Sequence, residues 1–573
     1  MKRLILFFFV LSLGNLYSQK ASFKEIGKSA GVNINGKCYG AAFADYNNDG
    51  YDDLYVSRQG ESNRLYKNNG DNTFEDVSLF SNTDYSGPTR ASVWADFDND
   101  GYQDLFLANW DAPCVYFKNS GNGYFINDTY NKGVGVIGRP NSVNVADVNN
   151  DGWLDIYIAF MGQENVLFLN NGDGTFKDFT KESGATDPSI SMAALFVDFD
   201  NDGDQDLYLA HDANIPYILY ENDGFGHFKN ISAKAGVNYA GQGMGVDFGD
   251  VNNDGLMDLH ITNLYENTLF VNNGDGTFRD VSKSAGIQDR GMGWGTMVFD
   301  YNNDGLNDIY VVNDTKFTPS SYTNKLYRNN GNITFTEVSE NTPLASPYEG
   351  YGAAYSDINH DGKLDIFVAI KGQEGSQLFL NNEINTGHWL QIKCIGTKSN
   401  RDGIGARINI KCANQLYCDQ ISSSSGYVSQ NSLLQHFGLG THSKIDELEI
   451  IWPSGLKDIY KNLSVDQVIT VKEGLSIETK WAVNTTQQTI NNPKMVYQGI
   501  SPFGIKFDLM ESQEVNFEIF DLSGRKLYNS NYSNLASGVR CLEIPAEINK
   551  NPGIYLAKVA TSSDQLVQKF IVQ

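Results

Sequence analysis

Positive charge is scarce in this chain. Lysine and arginine number 43 against 69 acidic residues, and the formal net charge is −26. So acidic a surface repels nucleic acid and anionic membranes, and neither is expected as a partner. Long apolar runs are equally rare. The run at residues 4–13 follows Lys2 and Arg3 and precedes the small residue Ser18. Ten mostly apolar residues are too few to cross a bilayer but fit a secretory signal peptide over residues 1–18, and no later stretch qualifies as a transmembrane segment. Cysteine is sparse as well. Six (Cys38, Cys114, Cys394, Cys412, Cys418, Cys541) in 573 residues are not the framework of so large a chain, although export would permit disulfides. Cys412 and Cys418 flank a hairpin turn at Asn414 and are the pair able to face each other. Missing too are a nucleophile elbow, a zinc signature, a phosphate loop and a dinucleotide fingerprint, so no catalytic motif stands out.

What the chain does have is a nine-residue acidic loop, repeated roughly every fifty residues. Loops 1 to 7 start at Asp45, Asp96, Asp147, Asp198, Asp250, Asp300 and Asp357, and each runs into a short apolar, β-rich segment. Position 3 is Asn47, Asp98, Asn149, Asp200, Asn252, Asn302 or Asn359; position 5 is Asp49, Asp100, Asp151, Asp202, Asp254, Asp304 or Asp361; position 9 is Asp53, Asp104, Asp155, Asp206, Asp258, Asp308 or Asp365. Oxygens at positions 1, 3, 5 and 9, with a backbone carbonyl at 7, can wrap a hard cation as the first part of an EF-hand loop does. A glycine holds position 6 in every copy, where the chain must bend. No copy has the glutamate at position 12 of a true EF-hand; Val56 and Leu107, both in strand-like runs, stand there. Turn formation alone would explain one such Asp-Asn-Gly cluster. Seven in register would repel by several kcal/mol at close range without a cation. The number of protein oxygens favours Ca²⁺ over Mg²⁺, and the sequence leaves Mn²⁺ open. These ligand positions hold 23 of the 69 acidic residues, so the acidity is largely a metal-binding statement.

Each repeat reads as four strands. In the third these are residues 142–146, 156–160, 166–170 and 175–179, with the acidic loop between the first two and an Asn-Gly-Asp-Gly hairpin turn between the last two. Four antiparallel strands repeated seven times predict an all-β, seven-bladed β-propeller over residues 19–385. The fourth-strand phrase is absent after loop 7 but present before loop 1, at residues 21–26, so the N-terminal strand is expected to complete the last blade and close the ring. The loops resemble those of the FG-GAP/VCBS family, the repeats of integrin-α-type propellers, over about residues 21–384. That resemblance implies calcium in every blade.

Beyond residue 385 the acidic loops stop. Residues 386–474 carry Arg401-Asp402-Gly403-Ile404-Gly405-Ala406-Arg407, Ser424-Ser425-Gly426-Tyr427, His436-Phe437-Gly438-Leu439-Gly440 and Ile451-Trp452-Pro453-Ser454-Gly455. These motifs resemble the ASPIC/UnbV domain, found with FG-GAP-type repeats in the cartilage acidic proteins. The segment reads as a small β domain with strands at 389–394, 407–412, 416–422 and 447–452. Arg401, Arg407 and His436 are its tempting functional residues, and a structural role competes for each. Residues 475–493, rich in Thr, Gln and Asn, read as a linker. Residues 494–573 alternate like a β-sandwich and resemble the type IX secretion C-terminal sorting domain, through Asp521-Leu522-x-Gly524-Arg525, Pro552-Gly553-x-Tyr555 and Lys569-Phe570-x-Val572. The type IX secretion machinery is then a partner, and the protein is secreted or held at the outer cell surface.

If the blades follow the integrin-type arrangement, the acidic loops share one face. The opposite face then gathers Arg58, Trp110, Asp111, His211, Asp212, Glu266, Asp314 and Lys316, with Arg90, Arg139 and Arg290 nearby. Two functions follow: binding or adhesion to an extracellular glycan or protein, with calcium as a structural staple, or polysaccharide processing by a lyase or hydrolase at the channel mouth, with His211, Asp212 and an arginine at work.

Overall fold

Each repeat opens on a strand buried on both faces. These inner strands are Gly36–Ala44, Thr89–Ala95, Pro140–Ala146, Ser191–Val197, Gly243–Gly249, Gly293–Phe299 and Gly350–Ser356. A computed structural model describes residues 20–482 except 317–321, 385–386 and 424, and, of the remainder, 495–501, 504–509, 512–521, 525–536, 538–543, 545, 548, 553–561 and 565–572. The signal peptide and residues 483–493 of the linker lie outside the described residues.

In the third repeat the strands are Pro140–Ala146, Asp155–Phe160, Val166–Asn170 and Phe176–Asp178, paired antiparallel in that order. The expected hairpin is there, with Gly172 and Gly174 at φ 70° and 88° and the Thr175 N–H donated to Asp173 at 3.0 Å. The inner strands pack in sequence, and Gly350–Ser356 lies against Gly36–Ala44, so the array returns on itself. Closure happens as the sequence predicts: Phe23–Glu25 pairs antiparallel with Gln377–Asn381, Phe23 opposite Asn381. Full closure leaves no sheet exposed at its ends.

The second module consists of two sheets. One runs Gln435–Gly440, His388–Ile395, Gln467–Lys472, Glu478–Ala482, with a parallel central pair. The other runs Gln415–Gln420, Arg407–Cys412, Lys444–Ile451, Lys457–Ser464. Ile392, Ile410, Leu448, Trp452 and Ile469 fill its interior. Sequence reading found four of these strands. Glu478–Ala482 lies inside the stretch read as a linker, because its ladder to Gln467–Lys472 orders a polar segment that composition marks as loose. The Cys412–Cys418 pairing is also corrected. The turn at Ala413 and Asn414 sets Cys412 opposite Gln415 and Cys418 opposite Asn409, which puts the two sulfurs on different faces, and both are free thiols.

The two modules are one body. A single apolar cluster runs from inner-strand residues such as Val93 and Val145 into Leu390, Ile408 and Tyr427. Residues 420–423 and 425–432 enter the central channel and bond to the strands lining it. Gln430 accepts from Phe43 N–H at 3.1 Å and donates to the Ala41 carbonyl at 2.9 Å, while its side chain bonds both backbone groups of Trp94. Ser423 bonds both backbone groups of Val145, Gly426 exchanges two bonds with Val246, and Asn431 accepts from Tyr355 N–H. These are the edge groups an empty channel would leave to water. Small residues make the space: a Cβ at Gly40 would lie 2.1 Å from the Val428 carbonyl oxygen, and one at Gly352 would lie 2.3 Å from Ser429 Oγ.

The C-terminal unit, described by itself, has a sheet of Met495–Ser501, Gly504–Leu509 and Gly538–Glu543, and another ordered Lys526–Leu535, Gln513–Asp521, Gly553–Ala560, Gln565–Val572. Alternate residues Val515, Phe517 and Ile519 share a core with Tyr555, Ala557, Val559 and Leu542.

Candidate metal centres

Every acidic loop has the same internal wiring. The position 1 carboxylate accepts the position 5 N–H at 2.9–3.2 Å through one oxygen. Its other oxygen accepts the N–H of the position 6 glycine at 2.7–3.0 Å. Those glycines have φ between 79° and 98°, which a side chain would resist. The position 9 aspartates are at most 1% exposed. Each accepts, at 2.7–2.8 Å, the backbone N–H of an asparagine ending the third strand: Asn68, Asn119, Asn170, Asn222, Asn272, Asn329 or Asn381. Sequence reading missed these asparagines, although one recurs in every repeat. Their amides donate at 2.8–2.9 Å to a loop carbonyl of the preceding blade, and Asn68 reaches back to Ile358, so the staple also closes the ring.

The electrostatics favour a cation. Burial pushes Asp104 and Asp258 up to about 8 and Asp147 and Asp357 up to about 7, and raises Asp53, Asp155, Asp206, Asp308 and Asp365 well above the usual carboxylate range. Carboxylates in such surroundings must be protonated or neutralised. Asp96, Asp98 and Asp100 bring oxygens within 4.8 Å of one another, as do Asp198, Asp200 and Asp206. Loops 2 and 4 are the copies with aspartate at position 3. In loop 2, Asp98 Oδ1 is buried without a hydrogen-bond partner, while Lys118 Nζ pairs with its other oxygen and lies 3.5 Å from Asp100. The position 3 asparagines Asn47, Asn149, Asn252, Asn302 and Asn359 turn their amide oxygens toward the position 5 N–H, at 2.9–3.3 Å. The residues present therefore fit a divalent cation, with the densest charge in loops 2 and 4.

Neighbouring loops are tied to each other through position 4. Asn48 donates to the Gly101 carbonyl at 2.8 Å, Asn99 to Gly152, Asn253 to Gly305 and Asn303 to Gly362, while Asn150 reaches Asp204 and His360 Nε2 lies 2.9 Å from the Gly50 oxygen. Between loops 4 and 5 the belt is completed from outside: Arg407 donates to Asn201 Oδ1 and to the Gly255 carbonyl. Arg401 N–H donates to Asn99, Asp402 accepts from Asp96 N–H at 2.7 Å, and His436 Nε2 lies 2.7 Å from Asn303 Oδ1. The three tempting residues of the second module thus all sit at its seam with the acidic-loop face. Glu473, which sequence reading overlooked, holds the loop before Arg401: despite its burial, the Ser454 hydroxyl and the N–H groups of Lys398, Thr397 and Ser399 keep its pKa down at about 2.

His436 makes the seam acid-sensitive. Burial lowers its pKa to about 3, so it is neutral when folded. The unfolded chain takes a proton there near the ordinary 6.5, binds more protons than the folded one below that pH, and stability falls as pH drops. Between pH 6.5 and 5 the loss should be about 1.6 kcal/mol at this residue. His436→Gln, which cannot titrate, should remove that share of the slope in denaturant midpoints.

On the opposite face Arg90, Trp110, Asp111 and Arg139 come together, while the other expected residues are held by separate partners or stand apart. His211 is fully buried, held by the Pro216 carbonyl at 2.7 Å and Asp187 at 2.9 Å. Asp212 caps Ala213 N–H, Arg58 pairs with Glu61, and Lys316 pairs with Glu349 at 3.1 Å. Asp314 is buried, Glu266 accepts from Gln288, and Arg290 is exposed. Asp111 pairs with Arg139, and Arg90 lies over the Trp110 and Tyr39 rings while donating to Tyr427 Oη at 3.2 Å. The channel behind them is occupied by residues 420–423 and 425–432, and the histidine offered for polysaccharide processing is buried in the fold.

A closed ring of antiparallel sheets with an acidic loop after each inner strand, sealed by a small β module, defines a β-propeller of the repeat-built kind. The chain belongs to the FG-GAP-like repeat family, whose model matches in overlapping copies across residues 45–368; the ASPIC and UnbV model matches residues 396–478, and that of the secretion system C-terminal sorting domain residues 501–573. It is similar to cartilage acidic protein 1 of Mus musculus, 23% identical over 477 residues covering 76% of this chain and 73% of the mouse protein, and to the Homo sapiens protein, 23% over 487 residues covering 76% and 71%. Among solved structures, BBS1N in complex with ARL6DN aligns at a TM-score of 0.41, with 8% identity over 63% of this chain and 95% of that one. An Agrocybe aegerita lectin aligns at 0.35, with 20% identity over 56% and 80%. Likenesses that distant carry no argument about function. The sorting domain marks the protein as secreted or displayed on the outer cell surface. No helix among the described residues is long and apolar enough to cross a membrane.

Proposed function

We propose that this is an extracellular calcium-binding protein, a seven-bladed propeller that holds an extracellular glycan or protein ligand and reaches its destination through the type IX secretion machinery. The observation that carries the calcium reading is the buried carboxylate at position 9 of every loop, gathered with the position 1 and 5 carboxylates where burial alone would protonate it. Positions 1, 3, 5 and 9 of each loop are the proposed ligands. Bound calcium would supply the neutralising charge; the chain's own residues shape the loop through the position 6 glycine and fix position 9 through the third-strand asparagine. Extracellular calcium is abundant enough to fill sites with Kd of roughly 10⁻⁴–10⁻³ M.

Calorimetric titration of chelator-stripped protein tests this. Loops 2 and 4, with one more carboxylate each, should fill first. Asp98→Asn gives loop 2 the donor set of loop 1 and should weaken that site about tenfold, as should Asp200→Asn in loop 4. Titration without heat at millimolar calcium would refute the assignment.

A further inference from the structure

Where the second module meets loops 1, 2 and 7, the seam is not closed. A cavity of about 340 Å³ remains between the acidic-loop face and the sheet carrying Lys393 and Thr470. That volume is at the small end of ligand pockets, room for one sugar-sized molecule.

Its acidic groups are already engaged. Asp402 accepts from Asp96 N–H and from the Gln103 amide, and Asp52 accepts the Ser356 hydroxyl at 2.7 Å. Asp45 and Asp96 accept their own loop N–H groups. Its cationic heads and its hydroxyl hold no hydrogen bond among the described residues, although Lys393 and Arg401 lie close enough to Asp402 to favour its charged form. The Arg401 guanidinium lines the cavity with no hydrogen bond or ion pair to any described residue, and Lys393 has only a loose 3.9 Å approach to Asp45. Thr470 is 3% exposed and also lines the cavity, and its hydroxyl is buried without a partner, as is Gln103 Oε1. Such orphans are rare unless something else satisfies them. Leu433, Leu434 and Val468 provide an apolar wall.

We propose that this cavity binds a single acidic sugar, a hexuronate unit, with its carboxylate on Arg401 and Lys393, its hydroxyls on Thr470 and Gln103 Oε1, and its apolar ring face on the leucines. A guanidinium pairs with a carboxylate through two parallel hydrogen bonds, which explains why arginine suits this position. The guanidinium and ammonium, neither of them hydrogen-bonded, ask for an anion, and the unmatched hydroxyl and amide oxygen ask for a polyol. A hexuronate carries both beside a face of C–H groups. The inference rests on the glycan reading of the ligand and assigns it a place and a chemistry.

The test is calorimetric titration of the full chain, in millimolar calcium, with D-glucuronate, D-galacturonate, D-glucose and acetate. Saturable binding of at least one uronate is expected, with glucose and acetate each at least tenfold weaker. Arg401→Gln should weaken the uronate roughly tenfold or more, because a charge-assisted bond is lost. It leaves the backbone N–H that holds Asn99, so an unchanged melting temperature separates lost binding from lost folding. Thr470→Val, nearly isosteric, should weaken it severalfold, and Arg139→Gln on the opposite face should not alter it. No uronate binding at 10 mM (a concentration on the order of the weakest specific sugar sites), equal binding of glucose or acetate, or an unaltered Arg401→Gln variant would overturn the proposal. If no uronate binds while neutral glycans on an array do, the cavity assignment fails while the wider glycan reading survives.

Discussion

Removing calcium should lower the melting temperature of the propeller by about 10 °C. A ligand at ten times its Kd stabilises the folded state by about 1.4 kcal/mol, provided the unfolded chain does not bind it. Seven such sites together approach ~10 kcal/mol, comparable with the whole stability of ordinary domains. With an unfolding entropy near 2.1 cal/mol/K per residue, a unit of this size changes by about 1 kcal/mol per degree near its midpoint, which gives the shift stated. The structure adds a reason for cooperativity. The loops are bound to one another by Asn48, Asn99, Asn253, Asn303 and His360, and to the preceding blade by the third-strand asparagines, so an empty loop weakens its neighbours. Scanning calorimetry in excess EDTA and in 2 mM calcium (about ten times a mid-range extracellular Kd) measures it. Coincident transitions would show that the clustered carboxylates are tolerated without a divalent ion.

Tyr427→Ala should cost about 3–5 kcal/mol, the range for truncating a large aromatic in a packed core. The ring is fully buried in the channel, 4.9 Å from the Trp294 ring centroid, and its hydroxyl accepts from Arg90 at 3.2 Å. Its removal empties the axis of the ring and strips Arg90, itself 7% exposed, of a hydrogen-bond acceptor. Tyr427→Phe keeps the ring and should cost about 1 kcal/mol, so the pair separates packing from hydrogen bonding. Urea midpoints at unchanged m-value report both. A loss below 1 kcal/mol for the alanine variant would mean that residues 425–432 merely rest in the channel.

The two variants also separate what was legible from what was not. The acidic loops, the four strands per repeat and the closing role of Phe23–Glu25 follow from local spacing: Asp-Gly-Asp periodicity, two-residue alternation, and a strand phrase missing at one end and present at the other. The Ser-Ser-Gly-Tyr motif was visible as a motif, yet nothing near it in sequence reveals that Gly40, Val145, Val246 and Gly352 would meet Val428, Ser423, Gly426 and Ser429 around it. Arg407 and His436 were likewise singled out for their chemistry, and their side chains are spent on loops 133 to 206 residues away, whereas Arg401 reaches Asn99 through its backbone N–H alone.

By itself, then, the sequence determined the all-β class, the repeat, the ring and the placing of its carboxylates, because each depends on residues within one blade or on counting blades. The tertiary structure decided that the channel is filled, that His211 is a buried structural residue, that Cys412 and Cys418 face apart, and that an open cavity lies at the seam. Those outcomes depend on which surfaces meet after the chain has closed. The free energy of that meeting comes from long-range burial and from satisfying edge hydrogen bonds, and neither leaves a period in the sequence.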